Sequence, residues 1–481
     1  MTRFSDNIIL LTDSYKLSHY KQYPEGTENV YSYFESRVGA SMPYTVFFGL
    51  QYFLRRYLTG RVVTKEKIEQ AATVAAMHMG SESGTFNREG WEYIERKYNG
   101  FLPIRIKAVP EGTKVPTGNV MMTVEALDPK CYWLVNYLET LLVQVWYPST
   151  VATISHGVRQ TIQKGLEATG GDVKGLPFKL HDFGFRGVSS VESAGIGGLA
   201  HLVNFMGTDT LAAIGCGMEY YDSGMCGFSI PASEHSTITS WGEDGEVDAY
   251  RNMLQKYPTG LVACVSDSFD IDHACSNLWG GELKDEVLAR EGTLVVRPDS
   301  GEIVPMVLNV LKRLEEKFGS YETSKGFDVL NDKVRVIQGD GCTPETIQQI
   351  IDAMVANNWS IDNIAFGMGG GLLQKIDRDT QRFAFKCSSI TINGEERGVF
   401  KQPKSDPAKN SKKGRLKLIE DDDGVITTVN EDWFPTLSDK LVTVFERGEV
   451  KRLYTFDEVR TRAAEPLNLN TVDVMSESFT Q

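Results

Sequence analysis

The segment that decides the fold runs from Val334 to Gly371. It opens with Val334-Arg-Val-Ile-Gln-Gly-Asp-Gly341, continues through Thr343-Pro344-Glu345, and closes with Ile364-Ala-Phe-Gly-Met-Gly-Gly-Gly371. An apolar strand ends abruptly in glycine and aspartate. A capping threonine, followed by proline at the first turn, then starts a helix. Ile347, Ile350, Ile351 and Met354 fall on one face of it, the pattern of a helix with a buried side. A second apolar strand follows and again ends in glycines. Strand, helix and strand in this order form the unit of a parallel sheet.

The same grammar recurs outward from this segment. Further strand-like runs are Phe178-Lys-Leu-His-Asp-Phe-Gly-Phe-Arg-Gly187, Val203-Asn-Phe-Met-Gly-Thr-Asp209 and Gly227-Phe-Ser-Ile-Pro-Ala-Ser-Glu-His235. Leu261-Val-Ala-Cys-Val-Ser-Asp-Ser268, Leu294-Val-Val-Arg-Pro-Asp-Ser-Gly301 and Phe383-Ala-Phe-Lys-Cys387 complete the set. Between two of them, Val304, Val307, Leu308, Val310, Leu311 and Leu314 recur at helical spacing. Eight candidate strands predict an α/β fold, a closed or irregular (β/α) barrel rather than an open sheet. Polar residues cluster where strands end, the barrel face that carries chemistry. Residues 1–150 mix strand and helix signals. Pro103 to Pro110 alternates like a strand, and Tyr132 to Tyr147 reads as an amphipathic aromatic helix. Beyond the barrel, Lys401, Lys404, Lys409, Lys412, Lys413, Arg415 and Lys417 form a basic loop, and Glu420 to Gly424 reads as a turn.

Composition sets the outer bounds. The 481 residues are 41% hydrophobic and 24% charged, which excludes a disordered chain, a collagen-like fibre and a disulfide miniprotein. A net charge of −14 disfavours non-specific nucleic-acid binding. No apolar run approaches the ~18 residues of a membrane span. The apolar stretch Ile8 to Leu11 is too short for a signal peptide. Seven cysteines, none in a C-x-x-C pair, read as free thiols in a reducing cytoplasm.

Several strand ends could do chemistry. Gly367 to Gly371 could cradle a phosphate with backbone N–H groups, or simply make a tight turn. It is not the Walker pattern, because no Gly-Lys-Ser/Thr follows. Asp209, Asp299 and Asp340 could hold ribose hydroxyls, a hydrated divalent metal or an amide N–H; the plain alternative is helix capping. With Arg186 and Arg297 beside them, they favour a ligand bearing both phosphate and hydroxyls. His235 could be a base, a nucleophile or a phosphate contact, or a structural histidine. His181 and Asp182 read as supporting or core residues. Asp13 to Lys16 and Arg378 say little alone. A sugar-phosphate aldolase or isomerase would need a strand-end lysine, and only Lys386 offers itself. A non-enzymatic binding role would leave the polar strand ends replaceable.

Longer strings carry a resemblance. Thr12 to Lys16, His19 to Pro24, Val30 to Glu35, His181-Asp-Phe-Gly-Phe-Arg-Gly-Val-Ser-Ser190, Ser229-Ile-Pro-Ala-Ser-Glu-His-Ser-Thr-Ile-Thr239, Arg297 to Gly301, Gln338 to Gly341, Gly369 to Lys375 and Lys412 to Leu416 closely resemble the nicotinamide phosphoribosyltransferases, type II phosphoribosyltransferases. The likeness runs from about Ile9 to Leu416, with a weaker echo at Tyr454 to Arg460. Ile230 departs from it, standing where the pattern carries valine.

The resemblance implies an irregular barrel over 176–390. Beside it would lie an additional α+β domain, built from residues 1–150 and a C-terminal segment, 391–481. It implies condensation of nicotinamide with 5-phosphoribosyl-1-pyrophosphate (PRPP), yielding nicotinamide mononucleotide and pyrophosphate in NAD salvage. ATP hydrolysis through a phosphorylated His235, Mg²⁺ carried by the phosphates, and a homodimer with shared active sites are also implied. Phe183 and Tyr15 of a partner subunit would sandwich the pyridine. Asp209 would accept the carboxamide N–H and repel the carboxylate of nicotinate; that residue weighs against the alternative, a nicotinate phosphoribosyltransferase. Arg297, Pro298, Asp299, Gly339 and Asp340 would hold ribose and base, with Gly370 and the partner subunit's Arg378 at the 5′-phosphate. Arg186, His235, Arg297, Lys386, Lys401 and Lys409 would meet pyrophosphate. His235, Asp299 and Arg297 would be catalytic.

Overall fold

The computed structural model describes residues 3–80, 84–402, 404 and 410–467. They form two compact units. One takes the residues up to 153, 218–223 and those from 377 on; the other takes 154–217 and 224–376.

The second unit is built on a six-stranded parallel sheet. Its order is Gly207–Thr208, Leu180–Asp182, Ile364–Met368, Val334–Gln338, Glu291–Arg297, Thr259–Val265. Both edge strands bridge to the same segment, Phe228 to Gly207 and Ala232 to Ala263, also in parallel. The sheet therefore curls into an irregular ring, with 228–232 as its seventh stave. Inside the ring Ala263, Val295 and Ile337 are buried, with Phe183, Ile230 and Ala365 packed on them. The alternate residues Leu294, Val296, Val334 and Val336 are also buried, as a strand covered on both faces requires.

The helices follow the sequence pattern. Pro344–Ala356 starts from a reciprocal Thr343–Thr346 cap and buries Ile347, Ile350, Ile351 and Met354. Ile303–Phe318 buries Val307, Val310, Leu311 and Leu314.

The other unit carries a seven-stranded sheet. Its order is Glu395–Gly398, Phe383–Ile392, Thr27–Ser36, Val120–Ala126, Ile104–Ala108, Val442–Glu446, Glu449–Val450. Three strands from early in the chain therefore lie between two pairs from late in it. The expected strand 103–110 is Ile104–Ala108. The acidic turn joins Leu416–Glu420 to Ile426–Asn430, with Asp421 accepting from the Asp423 and Val425 N–H groups.

Two expectations need correction. Phe383–Ile392 is not a barrel strand; it pairs antiparallel with Thr27–Ser36. A strand buried on both faces reads as the same continuous apolar run in either kind of sheet. The aromatic stretch 132–147 is not one helix either. It breaks into the short turns Leu134–Tyr137, Glu139–Leu142 and Val143–Val145 before helix Trp146–Thr169 begins. Leu134, Val135, Tyr137, Leu138, Leu141, Leu142 and Val145 are buried at helical spacing and Gln144 is exposed, so the segment keeps one buried face although it is broken into pieces. Tyr137 donates to Ile9 O, and Asn136 bonds both Ser32 and Tyr23. No helix among the described residues is long and apolar enough to cross a membrane.

Candidate active site

The C-terminal ends of the parallel strands converge on the mouth of the ring. Phe183 follows strand Leu180–Asp182, and its N–H donates to Met368 O at 2.9 Å. Its ring packs against two glycines, with the Cε2 and Cδ2 atoms nearest to both. A Cβ on Gly367 would fall 2.1 Å from the ring, and one on Gly339 would fall 3.2 Å from it. Glycine at 367 is therefore required by the ring beside it, while a side chain at 339 would crowd it. Asp209 stands at the end of the next strand, exposed, and the Ser229 hydroxyl donates to its Oδ1 in a short bond. Ile230, beside Ser229, packs on the same apolar cluster as Phe183. An aromatic ring, an apolar floor and a fixed carboxylate thus share one mouth.

The opposite rim carries His235. Segment 231–233 reaches it by pairing with Thr259–Val265: Ala263 N donates to Pro231 O and Ser233 N to Ala263 O. The Ser233 hydroxyl accepts from Val265 N at 2.9 Å. The His235 imidazole lies between two carboxylates, Nε2 3.4 Å from Asp267 Oδ1 and Nδ1 3.8 Å from Asp299 Oδ2. Asp267 also accepts from Asp299 N at 2.9 Å and from the Ser300 hydroxyl. This one buried carboxylate therefore fixes both the histidine and the loop after Arg297, which includes Pro298. Arg297 Nε lies 3.8 Å from Asp299 Oδ1 and is buried with no hydrogen-bond partner among the described residues. A buried guanidinium nitrogen without an acceptor is costly in isolation and suits an anionic ligand. Asp340 is exposed at its strand end.

The glycine turn is open on one side. Nothing lies within 4 Å of where a Gly370 Cβ would stand, so the turn opens to free space. A Cβ on Gly187 would come within 3.7 Å of Gly370 N, which places the turn carrying Arg186 beside it. Arg186 is exposed and forms no ion pair among the described residues.

Other expected site residues lie in the other unit. Tyr15 is 58% exposed, its ring edge-on to His19 at 4.7 Å. Burial pushes the Lys386 ammonium down; Glu139 opposes this, while Arg37, Arg378 and Lys401 add like charge. These four cations therefore form one basic cluster. Lys409 lies outside the described residues.

Sequence reading missed Asp267, Ser229 and Arg37. Asp267 could have been found, since it ends its strand as Asp209, Asp299 and Asp340 end theirs. Ser229 and Arg37 carry no such signal. The seven cysteines are free, and burial pushes Cys264 and Cys342 up to about 12.

A family model described as the nicotinate phosphoribosyltransferase family matches residues 178–449. A second, described as nicotinamide phosphoribosyltransferase, N-terminal domain, matches 7–106. A Xanthomonas campestris protein named nicotinamide phosphoribosyltransferase is 49% identical, over 96% of this chain and 98% of its own. The chain belongs to the nicotinamide phosphoribosyltransferase family. A protein of the same name from Acinetobacter baylyi is 33% identical over 96% of this chain and 98% of its own. Among solved structures, nicotinate-nucleotide pyrophosphorylase from Pyrococcus furiosus aligns with a TM-score of 0.61 at 16% identity, covering 96% and 97% of the two chains. Human nicotinic acid phosphoribosyltransferase aligns with a TM-score of 0.56 at 15% identity, covering 94% and 93%. At these identities the likeness shows a shared fold alone.

Proposed function

We propose that this protein transfers the phosphoribosyl group of PRPP to the ring nitrogen of nicotinamide, releasing pyrophosphate. The observation that carries the reading is Asp209, fixed by Ser229 at a mouth floored by Phe183 and Ile230. A carboxylate accepts from a carboxamide N–H and repels another carboxylate, so it favours nicotinamide over nicotinate.

The chemistry asks for alignment and charge neutralisation. Phe183 stacks on the pyridine and aims its nitrogen at ribose C1. Stacking of this kind adds ~0.5–1.5 kcal/mol beyond burial. The C1–O bond to pyrophosphate breaks as the C–N bond forms, through an oxocarbenium-like transition state. Arg297, with an unpartnered buried Nε, and the exposed Arg186 oppose the charge that develops on the leaving group. Asp299 and Asp340 take ribose hydroxyls, and the open turn at Gly370 takes the 5′-phosphate. Among the described residues no three His, Cys, Asp or Glu side chains are grouped to hold a metal. The Mg²⁺ that the resemblance implies would be carried by the substrate phosphates, supplying positive charge there.

The coupling of ATP hydrolysis belongs to the same proposal. An imidazole nitrogen of His235 takes the γ-phosphoryl group as ADP leaves, and water later cleaves the phosphohistidine to phosphate. The added negative charge stands beside the pyrophosphate position and alters affinity there. The basic cluster Arg37, Arg378, Lys386 and Lys401, with Tyr15, would be supplied by the partner subunit of a cytoplasmic homodimer.

The test is a product assay on the purified chain with Mg²⁺, PRPP and either nicotinamide or nicotinate, with and without ATP. Preference for nicotinamide, lost in Asp209→Asn, is the expected outcome. Preference for nicotinate would overturn the role of Asp209. ATP should stimulate the parent and fail to stimulate His235→Ala; equal stimulation of both would overturn the phosphohistidine.

A further inference from the structure

Asp182 has no part in that scheme, yet it is fully buried at the end of strand Leu180–Asp182. A buried carboxylate needs partners, and each of its partners leads to the mouth of the ring. Oδ1 accepts from the Gly184 N–H at 2.7 Å, closing the turn around Phe183. Oδ2 accepts from the Thr208 hydroxyl at 3.3 Å, and that hydroxyl in turn accepts from the Thr210 N–H at 3.0 Å. Thr208 and Thr210 flank Asp209, whose own N–H donates to the Asp182 carbonyl at 3.0 Å.

The surroundings are shaped to the carboxylate. A Cβ on Gly198, in helix Val191–Leu202, would stand 3.0 Å from Oδ2, and a Cβ on Gly184 would stand 3.0 Å from Oδ1. Burial pushes the carboxyl up, the Gly184 and Thr208 bonds oppose this, and the neighbouring charge of Asp209 adds to it. Holding an acid in such a place makes sense where geometry matters more than stability.

We propose that Asp182 is a positioning residue for base selection: its two carboxylate oxygens fix the Phe183 turn and the Asp209 strand end relative to each other. The reading rests on the assignment of Phe183 and Asp209 to the pyridine carboxamide. One oxygen serves the aromatic wall and the other serves the selecting carboxylate. Loss of the joint would let ring and selector drift apart. The anion-binding groups at Arg297 and Gly370 hang from other strands and keep their places; Arg186, in the turn Phe185–Gly187, is the one phosphate contact that shares the Phe183 side.

The test is steady-state kinetics of the full chain, varying nicotinamide and PRPP separately and measuring nicotinate in parallel. Asp182→Ala should raise KM for nicotinamide roughly tenfold or more, and misplacement by 1 Å can do more. KM for PRPP should rise severalfold less, since only Arg186 of its contacts lies on the released turn, and the preference for nicotinamide over nicotinate should fall. Asp182→Asn keeps an acceptor for Gly184 and should restore most of the nicotinamide KM. Thr208→Val removes only the second arm and decides the matter if Asp182→Ala fails to fold; a selective rise in nicotinamide KM is again expected. Equal movement of both KM values, or no movement, would overturn the proposal. A parent protein that makes no mononucleotide from nicotinamide would instead overturn the function on which it rests.

Discussion

At the N-terminal ends of the parallel strands the cations are saturated with backbone carbonyls, whereas at the C-terminal ends charged groups stand open. Lys179 donates to the carbonyls of Ile361, Asp362 and Ile364. The Arg290 guanidinium takes the carbonyls of Tyr257, Thr259 and Gly260. Arg335 takes those of Leu330, Asn331 and Val334, and Lys333 takes that of Arg290. Across the ring, Arg297 keeps a buried Nε without an acceptor, and His235 meets its carboxylates only at 3.4 and 3.8 Å. Both ends carry positive charge within the same sheet. The difference lies in whether the protein supplies the acceptors itself, and an end that does not supply them is ready for an anionic ligand.

Arg297→Ala should produce the largest effect that breaks this contrast. Removing one charge-stabilising donor costs ~10²–10³ in rate, about 2.7–4 kcal/mol. Because Arg297 Nε is unpartnered, its loss should leave the melting temperature nearly unchanged. A drop in kcat/KM at constant melting temperature is expected; a melting temperature that falls in step with activity would make Arg297 a structural residue.

Lys179→Met should show the reverse pattern. It strands three buried carbonyls, and an unmet buried polar group costs ~1–3 kcal/mol. Partial rehydration should hold the total to about 3 kcal/mol. Burial pushes the Lys179 ammonium down to about 8, while the carboxylates of Asp362 and Asp172 oppose this. A lower denaturant midpoint with kcat/KM unchanged at low temperature is expected. Unchanged stability would mean that water already serves those carbonyls.

Gly367→Ala sharpens the contrast within the open end. The new methyl would press into the Phe183 ring from 2.1 Å and displace it. KM for nicotinamide should rise roughly tenfold, with KM for PRPP unchanged. Equal rises in both would show that the glycine serves the phosphate turn instead.

How legible each end was follows from its chemistry. Asp209, Asp299, Asp340 and the glycines announce the open end, because polar residues interrupting apolar runs stand out. Asp267 was passed over although it has the same strand-end position, since one carboxylate among several shows no sign of the bonds it will make. The saturated end was silent: Lys179 and Arg335 look like surface charges until the carbonyls they meet are known. Membership of the ring was legible only in part. Strand 383–392 is as apolar as its neighbours, and only long-range pairing with Thr27–Ser36 decides its sheet. Segment 228–232 holds its place by single bridges, too few to impose strand periodicity on the sequence.

The smallest expected effect concerns the thiol nearest the open end. Cys342 Sγ donates to Gln338 O at 3.4 Å, and its own carbonyl lies 2.9 Å from where a Gly371 Cβ would stand, directly behind the glycine turn. Only the thiolate is nucleophilic, and burial pushes this thiol up to about 12. At pH 7.5 the thiolate fraction is negligible and the sulfur is shielded. An alkylating reagent should therefore leave activity within about twofold of the untreated enzyme over an hour, with Cys342 unmodified by mass spectrometry. Modification of Cys342 with loss of activity that PRPP prevents would show that the turn opens far enough to expose what lies behind it. The cradle would then be a mobile element, unlike the carbonyl-saturated end of the same strands.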